Sequence, residues 1–327
     1  MAEKLLSVLM SIYNDEKYLA ETLDSIFNAV SKENEHLVEF IFVNDGSTDK
    51  TQEILEDYKL QYNFILINQE NNGLAKAQKQ LISIATGKYE YSIGHDDILE
   101  PNAIDKILNY LQEFPATDLL LFDYFEFGSN LVSKKTHKSG VYFEHRDGQS
   151  VFATLRKNDM CVVPEWNKVV LRNLILENDI FSGNPYTIDI ETTPKIYAMA
   201  KEVGYLPEAL YNYRIHSDSM GRCSKFKVYN FTKCRIHALD ALCKLINKNS
   251  LTDDFIKTLL DYMSDLYMSA LSGIKLQGVF EDSLISDLYK YTWLLKYGKW
   301  DRKYIFRWVV KFFGLKTLYA LRFHNSD

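Results

Sequence analysis

Cysteine is scarce and unpatterned in this 327-residue chain. The four, Cys161, Cys223, Cys234 and Cys243, form no Cys-x-x-Cys pair, which argues against a disulfide framework and for reduced thiols in a cytoplasmic protein. Cys234, His237 and Cys243 fall in one helical pattern without a second ligand pair, so they read as buried helix residues rather than a metal cluster. No apolar run approaches the roughly 18 residues of a membrane span. The N-terminus lacks the basic-apolar-small pattern of an export signal, so the chain is expected not to cross a bilayer. Positive charge is not in excess either: 38 Lys and Arg against 44 Asp and Glu give −6, the wrong sign for a general nucleic-acid binder. No Gly-x-Gly-x-x-Gly follows the first apolar run, and neither Gly-x-x-x-x-Gly-Lys-Ser/Thr nor Gly-x-Ser-x-Gly occurs. Dinucleotide dehydrogenases, P-loop NTPases and α/β-hydrolases are thereby disfavoured.

What is present is a globular composition, 46% hydrophobic and 25% charged, with length for one large or two ordinary domains. The first 125 residues alternate short apolar runs with amphipathic stretches. Strands are predicted at Leu5–Tyr13, Val38–Val43, Phe64–Asn68, Tyr89–Ile93 and Asp118–Tyr124. Helices are predicted at Glu16–Val30, Lys50–Leu60, Leu74–Ala85 and Asn102–Phe114. This alternation implies βαβ crossovers and an α/β fold built on a mostly parallel, twisted sheet flanked by helices. From Leu131 to Tyr213 the pattern is mixed, with a hairpin, helices at Gly148–Arg156 and Trp166–Leu176, and a Gly/Asn/Pro-marked loop at Ser182–Tyr186. After Cys223 the pattern is wholly helical, through Lys225–Asn247, Asp253–Leu276, Glu281–Tyr297 and Asp301–Phe323. The reading is a catalytic domain over 1–222, with a donor half to about 125 and an acceptor half after it, then a helical extension over 223–327.

Ligands of such sheets gather beyond the carboxyl ends of the strands. The second strand closes on Asn44-Asp45-Gly46-Ser47-Thr48-Asp49, where Gly makes the tight turn and Ser, Thr and Asp suit a helix cap. Asp45 either faces the crevice, ready to accept hydrogen bonds from a base or ribose, or only shapes the turn. The fourth strand closes on His95-Asp96-Asp97, with Pro101 opening the next helix. Adjacent carboxylates repel when desolvated, and a hard divalent cation relieves the repulsion and can neutralise a diphosphate leaving group. A solvated helix cap is the plain alternative.

Ser11-Ile12-Tyr13-Asn14, Val43-Asn44-Asp45-Gly46-Ser47-Thr48-Asp49, Asn72-Gly73-Leu74-Ala75 and His95-Asp96-Asp97 together resemble the ordered motifs of family 2 inverting glycosyltransferases with a GT-A fold. Trp166-Asn167-Lys168 and Tyr205-Leu206-Pro207-Glu208, running on to Tyr211, Tyr213 and Arg214, resemble landmarks of bacterial members that build cell-surface polysaccharides. The likeness spans residues 4–220. It implies that Tyr13 and Asp45 contact a base, typically uracil, that Asp96 faces the ribose, and that Asp97 ligates the Mn²⁺ or Mg²⁺ bridging the diphosphate, with His216 reaching the same group. It implies an Asp base, which Asp189 fits, although Ile188 stands where the family has Glu and Glu191 is a rival. Gln78-Lys79 replaces the family's Arg-Asn, leaving Lys76 or Lys79 to meet the diphosphate, and His95 replaces its first carboxylate. The implied reaction uses a nucleotide-sugar donor, a UDP-sugar by the resemblance, and a glycan or lipid-linked glycan acceptor. The competing reading is a sugar-nucleotide-binding or scaffold subunit whose base has been lost.

Residues 296–322 carry +7, leaving −13 on the rest of the chain. Within them, Lys299 to Phe313 interleaves cations with Trp, Tyr and Phe. Such a helix suits an anionic membrane surface, here the inner face of the cytoplasmic membrane. Alternatively it packs on the catalytic domain or in a homodimer, with its basic residues solvated.

Overall fold

The computed structural model describes residues 4–128, 135–140, 146–178, 180–181, 189–216, 229–248, 250–277 and 282–298. The Ser182–Tyr186 loop, Cys223 and the basic stretch from Lys299 onward lie outside them. The chain divides into two compact units, Met1–Arg222 and Cys223–Asp327.

The first unit is a mixed α/β sandwich around one sheet. Strands β1 (Leu6–Ile12), β2 (Val38–Asp45), β3 (Ile65–Gln69) and β4 (Tyr89–Ile93) alternate with helices α1 (Leu19–Asn28), α2 (Thr51–Lys59) and α3 (Leu74–Ile84). β1 and β2 are buried along almost their whole length, as expected of parallel strands covered on both faces. Further along come β5 (Ile98–Leu99), α4 (Ala103–Glu113), β6 (Leu119–Gly128), β7 (Lys135–His137), α5 (Gly148–Lys157), β8 (Lys168–Leu171), α6 (Arg172–Glu177), α7 (Asp189–Met199) and β9 (Val203–Ile215). The sheet runs β3-β2-β1-β4-β8-β6-β9-β5, with β7 paired to β6. β3, β2, β1 and β4 are mutually parallel, β8 is inserted antiparallel, and β6 and β9 are again parallel to each other. The chain leaves β1 toward β2 on one side and returns to β4 on the other, which makes the β1/β4 edge the switch point where an open sheet offers its crevice.

One sequence expectation fails in kind. The helix foreseen over Trp166–Leu176 is β8 followed by the short α6. Lys168, Val169 and Val170 are buried between β4 and β6, and two β-branched residues covered on both faces favour a strand over the helical spacing. Likewise the single helix foreseen over Glu281–Tyr297 is α10 (Asp282–Tyr289) and a 3₁₀ turn at Thr292–Lys296.

The core between sheet and helices is aromatic. Phe27 stacks on Tyr62 at 4.0 Å and meets Phe40 edge-on at 5.1 Å, while Tyr91 meets Phe122 edge-on at 5.6 Å. In the second unit, α8 (Tyr229–Ile246) and α9 (Asp253–Gln277) pair antiparallel, tied by Arg235 Nε donating to Ser269 Oγ at 2.9 Å. Cys234 is buried on α8. None of the described helices is long and apolar enough to cross a membrane. Phe122 is fully buried at the centre of β6. Phe122→Ala is expected to cost about 3–5 kcal/mol, read as a lower urea midpoint of the first unit.

Candidate active site

The loops after β1 and β2 are tied to each other. Asn14, held at φ 50°, accepts from the Thr48 amide at 2.7 Å, and its own amide donates to Ser47 Oγ at 3.0 Å. Gly46 supplies the turn at φ +73°, where a Cβ would stand 2.6 Å from the Asn71 nitrogen. Asp49, not Asp45, meets the start of α2, accepting from the Thr51 amide at 3.0 Å. Asp45 is 3% exposed. Its Oδ1 accepts from Gln69 Nε2 at 2.6 Å and the Asn72 amide at 2.9 Å, and its Oδ2 from the Gly73 amide at 2.9 Å. Asp45 therefore holds the loop that launches α3. Tyr13 stands exposed beside it at 45%, and Lys76 is exposed on the first turn of α3.

At the end of β4 the two carboxylates take different partners. Asp96 Oδ2 lies 2.7 Å from His216 Nε2. Asp97, 4% exposed, accepts from the Tyr211 hydroxyl at 2.5 Å and from the Arg214 amide at 2.7 Å. Burial, aided by repulsion from Asp96, raises the Asp97 carboxyl well above its ordinary range, against the pull of those two donors. Arg214 is itself fixed: Nε donates to the Asp96 carbonyl at 2.7 Å, Nη2 meets Glu21 at 2.7 Å, and the guanidinium lies over the rings of Tyr18 and Phe127, each at 4.6 Å. His95, standing where a third carboxylate was expected, pairs through Nδ1 with Asp15 Oδ2 at 3.1 Å. Burial works to lower the His95 pKa, but the Asp15 bond and the neighbouring carboxylates raise it overall.

These groups suit a divalent cation, since oxygen and imidazole donors hold Mg²⁺ and Mn²⁺ and a positive charge relieves the buried Asp97 charge. Among the described residues no three carboxylate, imidazole or thiolate groups stand together as a closed ligand set. The donor set matches a cation held by one or two carboxylates and completed by phosphate oxygens and water.

The antiparallel sense of β8 brings its first residue, Lys168, and the preceding Glu165 and Trp166 to this same edge. Thr192 Oγ1 donates to Glu165, and Thr193 Oγ1 to the Val163 carbonyl at 2.8 Å, so the N-terminal turn of α7, with Asp189, is pinned there. Asp189 is half-buried at the first position of α7, its Oδ1 accepting from the Ile190 amide at 2.9 Å. Glu191 is 1% exposed and 3.9 Å from Lys195 Nζ. The two rivals thus occupy different environments, one at the helix mouth and one inside. Ile188 lies outside the described residues.

Glu165, Asp15, Tyr211 and Arg214 were given no role by the sequence reading. Tyr211 and Arg214 stood in its motif, but only the fold shows that they serve Asp97. A cavity of about 390 Å³ lined by Ser25, Glu100, Phe127 and Asn212, among others, includes none of the candidate residues.

Burial raises Glu165 from 4.5 to about 7, with Asp189 and Glu191 adding to the rise and Thr192 and Lys168 opposing it. The folded carboxyl keeps its proton to higher pH than the unfolded one, so this group costs stability as pH climbs from about 4.5 to about 7. Glu165→Gln, measured by urea unfolding across that window, is expected to remove a slope amounting to about 3 kcal/mol.

Residues 7–153 match the family profile of Glycosyl transferase family 2. Among curated proteins, "Glycosyltransferase GlyA" of Streptococcus pneumoniae is 28% identical over 75% of this chain, and the chain spans 35% of that relative's length. "Glycosyltransferase GlyG" of the same organism is 29% identical over 67% of this chain and 73% of its own. "Minor teichoic acid biosynthesis protein GgaB" of Bacillus subtilis is 26% identical over 65% of this chain and 23% of its own. Among solved structures, S. aureus TarS 1-349 in complex with UDP-GlcNAc superposes with a TM-score of 0.68 at 20% identity, covering 89% of this chain and 81% of that one. The mannosyltransferase PcManGT of Pyrobaculum calidifontis, in complex with GDP-Man and Mn²⁺, superposes at 0.55 and 14% identity, covering 98% and 88%. The first unit has the GT-A-like fold of these structures, and the likeness to glycosyl transferase family 2 lies in residues 7–153, the part of this unit that carries β1 to β6.

Proposed function

We propose that the chain is an inverting glycosyltransferase that moves a sugar from a nucleoside diphosphate, a UDP-sugar, to a hydroxyl of a glycan or lipid-linked glycan in surface-polysaccharide synthesis. The observation that carries it is the Asp96–Asp97 pair at the switch-point edge: Asp97 is buried and hydrogen-bonded from β9, and Asp96, half-buried, meets His216 just beyond it, a pair whose charge suits a cation. The UDP-GlcNAc held by TarS and the teichoic acid role named for GgaB support the donor and acceptor classes.

In this reading Tyr13 and Asp45 receive the base, Asp45 chiefly by fixing the Asn72–Gly73 amides that line its side. Asp96 faces the ribose. Asp97, with His216 behind Asp96, holds Mn²⁺ or Mg²⁺, which when bound supplies positive charge to the departing diphosphate. Lys76, on the first turn of α3, meets the same phosphates. Asp189 takes the proton of the acceptor hydroxyl. That oxygen then bonds to the anomeric carbon as the carbon–phosphate oxygen bond breaks on the opposite face, so an α-linked donor gives a β-glycoside. Glu191, buried and beside Lys195, is the less accessible candidate and serves the helix.

Release of UDP from a panel of UDP-sugars is expected to be stimulated by Mn²⁺ and to fall about 100-fold or more in Asp97→Asn. Asp189→Asn is expected to lose transfer by about 100-fold or more while UDP affinity stays within twofold. An Asp189→Asn enzyme that transfers normally would refute the base, and a wild type that neither binds nor turns over any nucleotide sugar would refute the reaction.

The Lys299 to Phe313 stretch supports a seat on anionic lipid. Removing residues 296–327 is expected to abolish co-sedimentation with phosphatidylglycerol vesicles, and unchanged sedimentation would end that idea.

A further inference from the structure

We propose that the Tyr211 hydroxyl sets the orientation of Asp97 for cation binding, so that metal affinity depends on the aromatic stack that holds Tyr211. The inference rests on the reading of Asp97 as a metal ligand.

The direction of the bond follows from hydrogen-bond bookkeeping. Tyr211 oxygen lies 2.9 Å from the Gly94 amide, which can only donate, and 2.5 Å from Asp97 Oδ2. The hydroxyl accepts from the amide and donates its single proton to the carboxylate. The other carboxylate oxygen accepts from the Arg214 amide at 2.7 Å. Two donors on opposite oxygens fix the plane of the carboxylate, while each oxygen keeps a lone pair for a cation.

Tyr211 is held just as firmly. It is 1% exposed, and its ring stacks on Trp166 at 4.7 Å and 8°. Trp166 also stacks on Tyr213 at 5.1 Å and 9° and is met edge-on by Tyr124 at 4.7 Å. The phenol therefore cannot swing away from Asp97 without breaking the stack. Gly94 completes the arrangement: a Cβ there would lie 2.5 Å from Asp97 Oδ2 and 3.1 Å from the Tyr211 oxygen. Hydrogen bonds to metal-ligating side chains typically govern 10–100-fold of metal affinity. A ring that merely fills the core would be replaced by Phe without consequence, whereas a positioning hydroxyl would not.

The test is Mn²⁺ binding by the full chain with UDP present, followed by the electron paramagnetic resonance of free Mn²⁺, together with UDP binding in EDTA and a thermal melt. Tyr211→Phe is expected to weaken Mn²⁺ by about 10–100-fold, with metal-free UDP affinity unchanged. Mn²⁺ affinity within twofold of wild type in a folded Tyr211→Phe protein overturns the proposal. Asp97→Asn in parallel separates the two layers. If it binds Mn²⁺ normally, the ligand reading fails. If it loses Mn²⁺ while Tyr211→Phe does not, only the positioning role fails. Should Tyr211→Phe not fold, Trp166→Phe keeps the hydroxyl and loosens the stack, and a several-fold loss of Mn²⁺ affinity supports the proposal where an unchanged one overturns it.

Discussion

The Asp97 carboxylate is buried next to a second carboxylate, and much of the first unit is arranged to tolerate that. A buried charge without partners costs several kcal/mol, while each hydrogen bond to a charged group returns about 1.5–3 kcal/mol. Both of its donors come from β9, more than 110 residues away in sequence. β9 must therefore be long enough to reach the carboxyl edge and must present a side-chain hydroxyl and a backbone amide in the right register. Its 13 residues do this through an irregularity. Pairing with β6 shifts on either side of Asp123, with Pro207 and Glu208 left over at the first shift and Leu210 at the second. Proline, which cannot donate to a ladder, is tolerated at such a bulge. Asp123 steadies it, accepting from Tyr205 OH at 2.7 Å and the Ser139 amide at 2.8 Å.

The same stretch joins the two halves of the candidate site. Trp166 stacks on the tyrosine that holds Asp97, and its neighbour Glu165 accepts from Thr192 in the first turn of α7, which begins at Asp189. Two adjacent residues thus connect Asp97, the proposed cation ligand, to the proposed base. An aromatic plane on one side and a side-chain hydrogen bond on the other are both short-range and directional. Relative placement of the two carboxylates is then set by packing rather than by loop length. Position matters here, because small displacements of reacting groups are costly in rate.

Much of the fold of the first 125 residues was legible in the sequence because its logic is local. Strand periodicity located β1 to β4 within a few residues, and Asp45, Asp96 and Asp97 stood at strand ends, where an open sheet places its ligands. What stayed illegible was long-range. Asp45 looked able to accept from a base, but both of its oxygens already accept from Gln69, Asn72 and Gly73, contacts that depend on β3 lying beside β2. The inserted β8 read as a helix, because a four-residue strand buried on both faces has no alternation to betray it. Tyr211 and Arg214 could be recognised as belonging to a pattern, yet nothing in their spacing says that one gives its hydroxyl and the other its amide to the same carboxylate.

The replacement of an expected carboxylate by His95 is not an isolated change. His95 meets Asp15, itself 5% exposed, whose amide donates to Thr51 Oγ1 at 2.8 Å. The negative charge lost from the β4 edge is thus offset by one on the loop after β1, and burial raises that Asp15 carboxyl even as the imidazole draws it down. A His–Asp pair bridges the β1 and β4 loops, where a third acidic group would have added repulsion. The Asp96–Asp97 pair is left with two acidic side chains, whose full charge one divalent cation would balance. In the proposed reading, selectivity among donors falls to the loops around Tyr13, Asp45 and Lys76, since Asp97 is fixed from behind by β9.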